Sequence, residues 1–164
     1  KSDGRIGAFI ELGAGLHSEL SGRENIFLYG SVLGMSKREI TQRFESIVNF
    51  AEIHKFLDMP IKRYSSGMYS RLGFSVCVCC NPDILLVDEV LAVGDTGFQK
   101  KCIEKMLEFK KVGKTIVFVS HDLRAVKEIC DKVMLLNHGS MIKVGNPKEI
   151  INLYLYQYGE ESLE

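Results

Sequence analysis

Residues 84–88 read Ile-Leu-Leu-Val-Asp: four large aliphatic side chains in a row, then the two carboxylates of Asp88 and Glu89. Successive side chains on a strand point to opposite faces, so a run without polar alternation suits a strand covered on both sides. Such strands belong to parallel sheets flanked by helices. This one run narrows the chain to an α/β architecture. It also leaves two acids at the strand's carboxyl end, where open α/β sheets place their ligands. The plainer alternative is that the chain reaches water there.

The flanking sequence alternates in the way such a sheet requires. After strand 84–88 the spacing predicts a helix over about 96–110, a strand over 115–120, a helix over about 122–130 and a strand over 132–137. "NHGS" turns the chain into a short strand, "MIKVG", and Pro147 opens a last helix. Upstream, "RIGAFIEL" (5–12) reads as a strand running into a Gly-rich loop. Two capping boxes follow, Ser21 with Glu24 and Ser36 with Glu39. The first helix carries Ile26, Leu28, Tyr29, Val32 and Leu33 and stops near Gly34; the second carries Ile40, Phe44, Ile47, Val48 and Ala51. "HKFLDMP" reads as a short helix or turn, and "SSGMYSRLGFSVCVCC" is the most apolar helix, ended by Asn81-Pro82. Residues 21–80 are thus expected as a helical insertion between strands of one parallel sheet.

Composition excludes several classes. Of 164 residues, Lys plus Arg and Asp plus Glu number 21 each, which gives no general affinity for nucleic acid or an anionic membrane. No apolar run approaches the roughly 18 residues of a membrane helix, and no signal peptide opens the chain. Any link to a membrane is expected to go through a partner. The five cysteines have no disulfide-like layout; Cys77, Cys79 and Cys80 are too crowded for a zinc site and read as small buried hydrophobes on a helix. Cys102 and Cys130 read the same way. Tyr154, Tyr156 and Tyr158 do not share one helix face, so they suit surface packing better than a sugar platform.

Three short motifs stand at element ends. Ser65-Ser66-Gly67 precedes the apolar helix, and hydroxyls with a Gly at a helix start make an anion site, or an ordinary N-cap. Asp88 suits a magnesium shell through water, and Glu89 suits taking a proton from an attacking water. "VFVSHD" brings His121 to the end of another strand, where a lone imidazole is also commonly structural.

Order and spacing of these motifs resemble the nucleotide-binding subunit of ABC transporters. Ser65-Ser66-Gly67 matches the middle of that family's signature motif, and Ile84 to Glu89 matches Walker B with its catalytic Glu. "AVGD", ending in Asp95, matches the D-loop, and "SHD" matches the switch-histidine loop. The resemblance implies a P-loop NTPase-like (RecA-like) parallel sheet with a helical ABC subdomain, and an ATPase that uses ATP and Mg²⁺. In it Asp88 organises Mg²⁺, Glu89 polarises the water and His121 contacts the γ-phosphate. Ser65, Ser66 and Gly67 close over the ATP of a second copy in a head-to-tail dimer. The implied divisions are 1–20 (strand and Q-loop region), 21–82 (helical subdomain), 83–146 (Walker B to switch histidine) and 147–164 (final helix and tail).

"YSSGM", "ELGAGLHSELSGREN", "DEVLAVGD" and "FQKKC" resemble the polysaccharide-export branch. That implies a transmembrane permease partner, a lipid-linked glycan as cargo (O-antigen, capsule or teichoic acid), no nucleic acid, and a peripheral place on the cytoplasmic face of a bacterial membrane. A soluble ABC-type ATPase outside transport is the alternative, but the basic or coiled-coil insertions of such proteins are missing. Two departures matter. The Q-loop's Gln is replaced: its aligned place falls on Glu11 or Leu12. A P-loop needs G-x-x-x-x-G-K-[ST] between a strand and a helix. The "GKT" at 113–115 has Glu108 where the first Gly belongs and precedes a strand, so it reads as a helix-to-strand turn. The P-loop is therefore expected before residue 1, and the chain alone as an inactive C-terminal part of a cassette. Its sheet edge and the apolar face of helix 66–80 are expected to lie partly uncovered.

Overall fold

Three parallel strands in the order β1-β2-β3 organise the first part of the computed structural model, which describes residues 4–9, 15–88 and 95–158. In chain order the elements of this part are β1 (Ile6–Phe9), α1 (Gly22–Val32), α2 (Lys37–Ala51), two 3-10 turns (His54–Phe56 and Ile61–Arg63), α3 (Ser66–Cys79), β2 (Ile84–Asp88), α4 (Thr96–Lys111) and β3 (Thr115–Val119). They form one compact unit, Lys1–Val119. The second unit, Ser120–Glu164, holds α5 (Leu123–Ile129), β4 (Val133–Asn137), β5 (Ser140–Gly145) and α6 (Pro147–Tyr158).

Both capping boxes form as read. Ser21 and Ser36 accept from the N–H of Glu24 and Glu39, and each Glu carboxylate accepts from the N–H of its serine at 2.8 Å. The helix ends are equally local. α4 closes in a Schellman motif, in which Gly113, at φ 77, donates to Lys110 and Lys114 donates to Phe109. The Lys114 ammonium then reaches the Asn81 carbonyl at 3.3 Å. "GKT" is a helix-to-strand turn.

The register Ile6↔Ile84↔Thr115 sorts the sheet into two faces. One carries Phe9, Leu85 and Val87, all buried, under α3 and α4. Phe74 of α3 stands edge-on to Phe9 at 5.4 Å and to Phe98 of α4 at 6.2 Å, and Phe50 of α2 joins the cluster. Each such buried side chain contributes roughly 1.5–3 kcal/mol. The other face differs from the expectation of two covered sides. Ile84, Leu86 and Asp88 are only half-buried, and Ile6, Val117 and Val119 are exposed. The aliphatic run therefore reports a strand central among the described ones, with one face packed and one open.

Helix 66–80 also departs from expectation, because it is not left uncovered. Leu72, Phe74, Val76, Cys77 and Val78 are all buried, between the sheet on one side and α1 and α2 on the other. Cys77, Cys79, Cys80 and Cys102 are free thiols, three of them fully enclosed, and burial pushes the Cys102 thiol up to about 12. They are hydrophobes in this core.

Among the described strands, parallel pairing is confined to β1, β2 and β3. β4 and β5 form an antiparallel hairpin, where the alternating pattern had pointed to a further parallel strand. The cause is its two-residue turn: His138 at φ 45 and Gly139 at φ 77 are both left-handed, the geometry that folds a chain straight back on itself. Within this unit α6 packs on the hairpin through buried Ile150 and a 2.7 Å ion pair from Lys143 to Glu149. Tyr154 and Tyr158 touch at 5.6 Å while Tyr156 is 89% exposed, so the three tyrosines form no common platform.

Candidate functional site

Asp88 is the last residue of β2 and pairs in register with Val119, the last residue of β3. All three parallel strands end at this edge. The Asp88 side chain belongs to the open face of the sheet and is half-buried, which leaves it accessible to a hydrated ion. Glu89, Glu11 and residues 90–94 of the D-loop stretch lie outside the described residues.

Ser65 is the N-cap of α3: its ψ of 160 is extended, and its Oγ accepts from the Met68 N–H at 3.2 Å. Ser66 and Gly67 are the first two residues of the helix itself. Their N–H groups have no acceptor one turn back, and the positive end of a 14-residue helix falls on them. Both serines are exposed. The segment is thus an N-cap followed by an exposed helix start, the N-cap reading of "SSG".

Asp95 is the N-cap of α4 and accepts from the Phe98 N–H at 2.9 Å. That hydrogen bond, with the Arg71 guanidinium beside it, holds the Asp95 carboxyl below the usual carboxylate range. His121 belongs to the second unit, two positions after the end of β3, and is exposed. Its neighbour Asp122 is the N-cap of α5, accepting from Arg124 and Ala125. The structure therefore places Ser65, Ser66, Gly67, Asp88 and Asp95 in one unit and His121 in the other.

Two residues of this region escaped the sequence reading. Asn25 is fully buried; its amide donates to the carbonyls of His17, Leu20 and Ser21, and its Oδ1 accepts from the His17 N–H at 2.7 Å. It ties down the loop that leads into α1. Arg71 joins Glu52 and Asp95 across three helices. A polar residue amid an apolar helix is the only sequence signal for either, and it does not name partners.

Among the described residues, Asp88 is the one assigned to a magnesium ion. Mg²⁺ is held by one or two carboxylates together with substrate phosphates, not by an all-protein cage. Asp88, one half-buried carboxylate at a strand end, suits one place in such a shell. Among the described residues no group of three or more His, Cys, Asp or Glu converges on a common point.

Known proteins resemble this chain in sequence and in fold. The chain is 50% identical over 153 residues to the O-antigen export system ATP-binding protein RfbB of Klebsiella pneumoniae, covering 93% of this chain and 62% of that protein. It is 48% identical over 160 residues to the teichoic acids export ATP-binding protein TagH of Bacillus anthracis, covering 96% of this chain and 29% of that one. The chain thus spans less than two thirds of the relatives it matches. Among solved structures, an ATP-binding subunit of an ABC transporter superposes with a TM-score of 0.79 at 22% identity, covering 94% of this chain and 62% of the other. A dimeric ATP-binding cassette in a post-hydrolysis state with ADP and Pi gives 0.73 at 22%, over 87% and 63%. These likenesses concern the fold, an α/β P-loop NTPase-like cassette. The sequence profile of the ABC transporter family matches residues 1–92, more than half of the chain, and the chain belongs to that family.

Proposed function

We propose that this chain is part of the ATP-hydrolysing motor subunit of an exporter of lipid-linked polysaccharide. The observation that carries the reading is the 50% identity, over 153 residues, to a protein named for O-antigen export. The TagH likeness supports the same class of cargo, a cell-surface polymer. Glu89 takes the proton from the water that attacks the γ-phosphate, and His121 holds that phosphate in line. Asp88 would hold Mg²⁺ through water, and the ion would neutralise charge on the phosphates. Ser65, Ser66 and Gly67 of one copy cover the ATP bound by the other, and Asp95 lies at the junction of the two. The place of the Q-loop Gln falls on Glu11 or Leu12, of which only Glu11 has a side chain that can meet a metal-bound water.

The divisions 1–20, 21–82, 83–146 and 147–164 belong to this reading, with the helical subdomain meeting a membrane-embedded permease. Leu28 and Val32, exposed one turn apart on α1 beside a pocket lined by Arg23, Phe27, Ser31 and Lys37, support a partner there. Among the described residues no helix is long and apolar enough to cross a membrane, which suits a peripheral place on the cytoplasmic face.

One experiment tests the reading. The full-length gene product is assayed for Mg²⁺-dependent ATP hydrolysis beside Glu89→Gln and beside the 164-residue chain. Glu89→Gln is expected to bind ATP and lose about a hundredfold or more of turnover, the usual worth of a general base. The 164-residue chain, whose only "GKT" is a turn, is expected neither to bind ATP nor to hydrolyse it. Near wild-type turnover in Glu89→Gln removes Glu89 as the base, and micromolar ATP binding by the 164-residue chain reveals another phosphate site.

A further inference from the structure

Arg71 lies on α3, one turn after Gly67, with its side chain only 16% exposed. Its Nη1 donates to Glu52 Oε2 at 2.9 Å, its Nη2 donates to the Asp95 carboxylate, and its guanidinium lies over the Phe98 ring at 5.0 Å. Each partner is fixed in turn. Glu52 is the left-handed C-cap of α2, at φ 59, and its other oxygen accepts from Lys101 at 3.0 Å. Lys101 also donates to the Phe50 carbonyl at the end of α2. Asp95 caps α4 with the oxygen that Arg71 leaves unused. One planar cation thus joins the end of α2, the start of α4 and the helix that begins at Ser66. A lysine carries the charge but lacks the flat fork that spans two carboxylates and stacks on a ring.

We propose that Arg71 is a positioning residue that locks Asp95 and the start of α4 to α3, so that Ser66 and Gly67 move with Asp95 when the cassette closes on nucleotide. This rests on the ATP-hydrolysing role proposed above. A cation serving stability alone predicts that turnover falls only as far as the thermal midpoint does. A positioning role predicts that shape matters to turnover and not to ground-state binding.

The test uses the full-length gene product with Arg71→Lys, Arg71→Met and Glu52→Gln. Steady-state kcat and KM, the thermal midpoint, and hydrogen exchange at the Phe98 and Gln99 amides are measured. Arg71→Lys is expected to lower kcat about tenfold or more with KM within about twofold, the pattern of an interaction needed only on the way to the transition state. Exchange at Phe98 and Gln99 is expected to rise in the same variant while the thermal midpoint stays near that of the wild type. Glu52→Gln removes one anchor and keeps Arg71, so it is expected to show the same split more weakly, even where Arg71→Met fails to fold. Unchanged kcat in Arg71→Lys and Glu52→Gln overturns the proposal, as does a fall in kcat that only follows a fall in thermal midpoint. Should the wild type itself hydrolyse no ATP, the motor reading fails, and exchange decides this one separately. Faster exchange at Phe98 and Gln99 in Arg71→Lys supports the lock, and unchanged exchange overturns it.

Discussion

Glu39 serves two elements at once. Its carboxylate accepts from the N–H and hydroxyl of Ser36, closing the start of α2, and from Arg5 just ahead of β1 at 3.1 Å. The Ser36 N–H contributes most to holding this carboxyl at about 2, against an ordinary 4.5, with the Ser36 hydroxyl and Arg5 adding to it. A depressed carboxyl contributes stability above its unfolded value and loses it as pH falls through the folded one. Glu39→Ala is therefore expected to lower the thermal midpoint by a few degrees at pH 7, with the gap to wild type closing between pH 4.5 and 2. Thermal unfolding of both proteins across that range checks it, and a gap constant with pH removes the charge from the explanation. Residues of this kind were legible in the sequence because a capping box is complete within four positions. Arg71 was not, since its partners lie 19 and 24 positions away and only the packing of three helices brings them together.

At the scale of elements, most starts and stops were also written locally. Asn81 ends α3 in the left-handed conformation at φ 53 and Pro82 prevents its return, as the Asn-Pro pair implied. What the residues did not state is which side of an element finds a partner. The aliphatic run of β2 reads alike whether one face is packed or two, and β4 reads alike beside a parallel neighbour or in a hairpin. The site followed the same division: Ser65 to Gly67, Asp88 and Asp95 fell at element ends as expected, and Ser66 and Gly67 proved to be inside α3. In the proposed dimer, that placement has a consequence for closure. An arginine at position 66 projects from the first helical residue into the space where an anion would meet the helix start. Ser66→Arg in a Glu89→Gln background is expected to abolish ATP-driven dimers while ATP binding by the single subunit stays within about twofold, because side chains at a helix N-terminus act within the first turn. Size exclusion with and without ATP reads this, and normal dimers in the variant remove the segment from the interface.

On the scale of the molecule, the pairing of β1 with β2 stands out against the rest. Arg5 and Asp83, which meet at the foot of these strands, are 78 positions apart, and the whole of α1, α2 and α3 lies between. The intervening helices have a core of their own, built from Ile26, Ile40, Ile47, Val48, Leu72 and Val76, with shorter separations. Local contacts form before distant ones, since the entropy of closing a long loop precedes any gain from it. In refolding of the full-length gene product, amides of α1 to α3 are expected to become protected before those of Gly7 and Phe9. Pulse-labelled hydrogen exchange orders the two, and protection of the strand first, or of both together, refutes the sequence of events. On the ribosome the same separation becomes a waiting time. At about 5–20 residues per second, β1 emerges roughly 4–16 s before the strand that completes it. Through that interval its apolar face must be kept from foreign partners by the nascent helices or by a chaperone.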